Sequence, residues 1–158
     1  MKKIRNFSLI TMLAFCSFAK AESGIESLSP ELRTLLGKEM VALQTGMQSI
    51  LPAYVSGDLA AVAETARKIE NSFILKQQIT KAQKQELGSK LPKAFIRMDK
   101  QFHENAAMLS HVAEQQHTEL VGFYYSRLIE ACMACHAEYA THRFPKLEGK
   151  STHGKHLH

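Results

Sequence analysis

The chain has 158 residues, 45% of them hydrophobic, and a formal net charge of +5. That length suits one domain with one core, and the sequence contains no internal repeat and no low-complexity tract apart from a His-rich end. The charge does not point to nucleic acid or to an anionic membrane as partner: Lys2, Lys3, Arg5 and Lys20 precede residue 22 with no acid among them, so the rest carries a formal +1.

Residues 1–21 read as a cleaved secretory signal. Lys2, Lys3 and Arg5 form its basic start, Phe7 to Phe18 its apolar run, and Ala19-Lys20-Ala21 a small-x-small cleavage site. The mature chain is then expected to begin at Glu22 and to be periplasmic. The apolar run is too short for a membrane span and no second one follows. Phe15 stands where lipidation of Cys16 would want a small residue, which argues against a lipid anchor. Cys16 leaves with the signal, so Cys132 and Cys135 remain as two thiols that need a use in an oxidising compartment.

Residues 22–144 carry a helical pattern throughout and are expected to form the domain. The first helix starts at Ser29-Pro30-Glu31, an N-cap hydroxyl followed by proline at the first helical position and an acid in the first turn. Leu32, Leu36, Met40, Leu43, Met47, Ile50 and Tyr54 then alternate steps of three and four and read as one inward stripe. Pro52 lies near its end, and Ser56-Gly57-Asp58 closes it and caps the next.

The second helix is expected over 59–75, with Leu59, Val62, Ala66, Ile69 and Phe73 inward. A polar connection over 76–90 follows, with a short helix capped by Thr80. The third long helix begins near Pro92 and sets Phe95, Met98, Phe102, Ala106, Leu109 and Val112 at core spacing. The fourth opens near Thr118 and carries Val121, Tyr124, Leu128, Cys132, Cys135 and Tyr139 on one face. Residues 145–158 turn to Gly, Lys and His and are expected to be disordered, with His153, His156 and His158 solvated.

Cys132-Met133-Ala134-Cys135-His136 organises all of this. Thiols three residues apart on a helix share a face, and the next residue stays within the same turn. C-x-x-C-H is the attachment motif of haem c: each thiol bonds a vinyl group and the imidazole binds the iron as proximal ligand. A thioredoxin-like dithiol would follow a strand, and no strand pattern is present. Half a zinc site would need a second Cys pair, and none follows residue 135. A disulfide across one helical turn would be strained. One covalently attached haem c is therefore the expected cofactor.

Four amphipathic helices, an exported chain of this length and a single C-x-x-C-H in the last helix together resemble the class II c-type cytochromes, the cytochrome c prime group. The resemblance covers roughly Ser29 to Phe144 and implies an antiparallel four-helix bundle. Members commonly follow the motif His by two residues, then an aromatic and a basic residue; here Tyr139 supplies the aromatic, Ala140 replaces the base, and Arg143 lies nearly a turn further on. In the family, the first helix faces the iron opposite the motif His. An apolar residue there leaves five-coordinate iron that binds nitric oxide or carbon monoxide, and a Met gives a low-spin electron carrier.

Met40 is the candidate sixth ligand, with Met47 second. A Met at helical spacing is also ordinary core filler. Tyr139 and Tyr124 are expected to pack at the haem pocket, and Arg33, Arg127 and Arg143 are generic propionate partners. His103, His111 and His117 read as surface residues, with His103 weighed as a bis-His alternative, and His142 as exposed. The function expected is one-electron transfer to redox partner proteins, by a protein that is not an enzyme. The alternatives are a gas-binding haem protein and a haem-free thiol-redox or structural helical protein. The resemblance also implies a homodimer through the first two helices as one assembly, with a monomer as the other.

Overall fold

The computed structural model describes residues 24–149. The expectations for residues 1–21 and for His153, His156 and His158 lie outside them. The described chain is all-helical: α1 Pro30–Val55, α2 Leu59–Glu70, α3 Leu75–Gln78, α4 Lys81–Lys90, α5 Lys93–Glu114 and α6 Thr118–Tyr139, with single 3-10 turns at Ile25–Ser27 and Pro145–Leu147. The second of these turns follows Phe144, inside the stretch where disorder is expected: Leu147 N–H donates to Phe144 O and Glu148 N–H to Pro145 O.

α1, α2, α5 and α6 form the bundle, each antiparallel to its neighbour. Backbones approach closely between α1 and α2, α2 and α5, and α5 and α6; α1 and α6 share much less of this approach and leave a seam. Two tyrosines bridge the seam. Tyr54 Oη donates to Thr118 O at 2.8 Å and Tyr125 Oη to Met47 O at 3.0 Å. Gly122 makes room for the first, since a Cβ there would lie 3.0 Å from Tyr54 Oη.

Local chemistry explains the ends of the elements. Pro30 opens α1, as its preset φ allows, but Ser29 does not cap it with its side chain. Its N–H and hydroxyl instead donate to Glu86 of α4, at 2.6 and 3.0 Å, which ties α4 to the start of α1. Pro52 sits inside α1, and the helix continues to Val55. Asp58 accepts from Ala61 N–H and caps α2, and Thr80 with Gln83 forms a capping box on α4.

α2 ends at Glu70 rather than at residue 75. Ser72 enters the left-handed region at φ 61°, and the Glu39 carboxylate accepts from Phe73, Ile74 and Leu75 N–H at 3.0, 2.7 and 2.9 Å. A buried carboxylate thus satisfies the free donors at the start of α3 and turns the chain away from the α2 axis. α3 has no counterpart among the expected elements. The polar connection was expected to carry one short helix and carries two.

The core consists of two apolar clusters. The larger joins Leu43, Met47 and Ile50 of α1 to Leu59, Val62, Ala66 and Ile69 of α2, Ala106, Leu109 and Val112 of α5, and Val121 and Leu128 of α6. The smaller joins Leu28, Leu32, Leu36, Leu91 and Phe95, with Cys135 and Tyr139 packed against it. The break between them falls at Glu39 and Met40 on α1, at Met98 and Asp99 on α5, and at Ala131 and Cys132 on α6.

Candidate haem-attachment site

Cys132, Cys135 and His136 occupy the last two turns of α6, where the break in the core meets the α1–α6 seam. Both cysteines are unpaired and partly buried. Burial raises the Cys132 thiol pKa. It pushes the Cys135 thiol further, to about 11, with smaller contributions from the Asp99 carboxylate and from Cys132. Both groups therefore stand as neutral thiols at physiological pH. Burial acts on His136 in the opposite sense, lowering its pKa, so the imidazole is neutral near pH 7. A neutral imidazole is the form that ligates a metal.

His136 makes no ring-nitrogen hydrogen bond with the described residues. Its contact is with Phe144, whose ring stacks on the imidazole at 4.2 Å between centroids and 13° between planes. The chain returns to reach it: α6 ends at Tyr139, and Arg143 and Phe144 N–H both donate to Ala140 O, at 2.9 and 3.0 Å.

The α1 stripe needs a correction at Met40. Glu39 is 2% exposed and takes the buried position, whereas Met40 is 40% exposed. In angular terms Glu39 and Met40 flank the Leu36–Leu43 line by about 50° on opposite sides, and the side that is buried is that of Glu39. Met47 and Tyr54, at steps of seven from Met40, pair with Tyr125 and Thr118, and one further step of seven on each helix sets Met40 at the level of Cys132. By this register Met40 falls at the level of the motif along α1, and its side chain is not part of the buried core.

Tyr139 packs edge-to-face on Phe95, at 5.1 Å and 71°, and belongs to the smaller cluster. Burial is the largest cause raising its phenol pKa. Tyr124 packs against the larger cluster and edge-to-face on Phe123. His103 corrects the surface assignment: its side chain is 15% exposed, Nδ1 lies 2.8 Å from Ile69 O, and Nε2 lies 3.7 Å from Asp99 Oδ1. It ties α5 to the end of α2. His111 and His117 are exposed, and His142, also exposed, pairs with Glu26 at 3.0 Å. Arg33 donates to Glu26 O and Arg127 pairs with Glu130.

Sequence reasoning passed over Glu39 and Phe144. Glu39 and Met40 keep the alternation of three and four between Leu36 and Leu43 equally well, so the pattern does not choose between them, and nothing in it signals that Phe144 folds back. Two open clefts run along α2, one lined by Glu64, Arg67 and Phe73, the other by Ala63, Arg67 and Glu114, and neither includes the motif. Among the described residues no three His, Cys, Asp or Glu side chains converge as a metal site. None of the described helices is long and apolar enough to cross a membrane.

The residues at the motif fit a haem. Two unpaired thiols and a neutral imidazole share one helix face, the apolar core is interrupted beside them, and Met40 of α1 falls at the same level by helical register. No known protein family, curated protein or solved structure shows significant similarity to the chain.

Proposed function

We propose that the protein is an exported, periplasmic monohaem c-type cytochrome of the four-helix-bundle kind that carries single electrons between redox partner proteins. The observation that carries this reading is the trio of Cys132, Cys135 and His136, with its thiols unpaired and its imidazole neutral, at the break in the core. Cys132 and Cys135 would hold haem c through two thioethers, and His136 would be the proximal ligand. Bound there, haem c supplies a ferric/ferrous couple.

The chain's own part is to bury that couple and to set its surroundings. Leu36 and Phe95 of the smaller cluster and Leu43 of the larger border the site with apolar surface. Low polarity around an iron centre shifts its potential, and a thioether ligand favours the ferrous state. Met40 is the sixth ligand in this reading, supported by its register opposite Cys132 and by a side chain not committed to the core. A homodimer through α1 and α2 is the assembly proposed. It is supported by residues 40–55 of α1, which carry no charged side chain and leave Val41, Leu51 and Val55 exposed.

The test is the optical spectrum of the matured protein beside Met40→Ala. The expected result is a low-spin ferric spectrum whose weak long-wavelength sulfur band is lost in the variant. A high-spin spectrum that the substitution leaves unchanged would overturn Met40 ligation. It would make the protein a five-coordinate binder of nitric oxide or carbon monoxide.

A further inference from the structure

α6 does not simply run out after the motif. Four residues beyond Ala140 the chain has folded back far enough to lay the Phe144 ring on His136, and short-range bonds hold the turn. Arg143 and Phe144 N–H donate to Ala140 O, and Leu147 N–H donates to Phe144 O. His142 on the same turn lies 3.0 Å from Glu26, whose neighbour Ile25 packs against the smaller cluster. Phe144 is 40% exposed, so burial in the core does not explain its place; its ring contact is the stack on His136.

A parallel stack covers a face of the imidazole and leaves its edges clear. Both nitrogens lie on those edges, and neither makes a hydrogen bond with the described residues. Rotation about the His136 Cβ–Cγ bond would break the stack, so Phe144 restrains the plane of the ring without competing for its lone pair. Metal-ligating histidines are commonly oriented by a carboxylate or a carbonyl on the second nitrogen. Here an aromatic face does that work and leaves the second nitrogen unassigned.

We infer that Phe144 is a positioning residue for His136: it fixes the plane in which the imidazole is presented. The inference rests on the cytochrome reading for its consequence, and its first test does not need haem. In the haem-free full-length chain, the ring current of Phe144 should displace the His136 Hδ2 and Hε1 resonances upfield. The displacement should be lost in Phe144→Ala and kept in Phe144→Tyr, which retains the ring. In the matured ferric protein, the pattern of haem-methyl hyperfine shifts reports the azimuth of the axial imidazole. It should be redistributed in Phe144→Ala and restored in Phe144→Tyr, with the far-ultraviolet helix signal equal in all three proteins.

His136 resonances that ignore Phe144→Ala would overturn the stack, and a haem-methyl pattern identical in all three matured proteins would overturn the positioning role. A chain that takes up no haem would sink the cytochrome reading and with it any role for Phe144 in presenting a ligand, while the haem-free arm would still decide whether the stack exists.

Discussion

Burial at the motif acts on Cys132, Cys135 and His136, and in each it favours the neutral form. For Cys135 the effect is large enough to govern stability. Its pKa is 9.0 when unperturbed and about 11 in the fold, so above pH 9 the unfolded chain releases the proton first and gains stability relative to the native state. The contribution is therefore complete below about pH 9 and is lost as pH rises through about 11. We expect the urea midpoint of the haem-free chain to fall over that interval by more in the wild type than in Cys135→Ala. The difference should be on the order of 2 kcal/mol at the alkaline end. Equal alkaline losses in the two proteins would show that this thiol is not desolvated. A sulfur held as a thioether, as proposed for the matured protein, has no proton to lose, and there the same difference should vanish.

Individual helices are fitted to their neighbours at small residues, and α1 supplies a controlled comparison. A Cβ on Gly46 would meet the Phe73 ring at 2.8 Å, whereas one on Gly37 would meet nothing within 4 Å. Both glycines sit inside the same helix, so an alanine gains the same backbone term of about 1 kcal/mol at each. At Gly46, overpacking opposes it by about 1–3 kcal/mol. Gly37→Ala should raise the thermal midpoint and Gly46→Ala should lower it; movement of both in one direction would contradict the close packing of the Phe73 ring on α1 at Gly46. The four long helices were legible because apolar residues at steps of three and four, with Ser29-Pro30, Asp58 and Pro92 as punctuation, are local signals. The end of α2 and the existence of α3 were not, because both depend on Glu39, more than thirty residues away. Of the candidate site, the motif could be read directly from its spacing. The side of α1 on which Met40 lies depends on how α1 and α6 register, which Tyr54 and Tyr125 set across the seam, and the Phe144 stack depends on a turn with no residue signature.

At the scale of the whole molecule, three pairs of adjacent helices close on one another and the fourth does not. The seam left between α1 and α6 runs past the point where the apolar core divides, and Cys132 and His136 stand at that point. A bundle of this size is ordinarily stabilised by one continuous core. Here the division falls at the two thiols, and a flat apolar group held by them would join the clusters into one. The cytochrome reading stands on covalent attachment, which is decided by the intact mass of the chain, matured alongside the haem-attachment machinery and measured after denaturation. The expected mass is that of the mature chain plus one haem, and of the bare chain alone when both Cys132 and Cys135 are replaced by alanine. A wild-type chain of bare mass with two alkylatable thiols would contradict it and leave a haem-free thiol protein in its place.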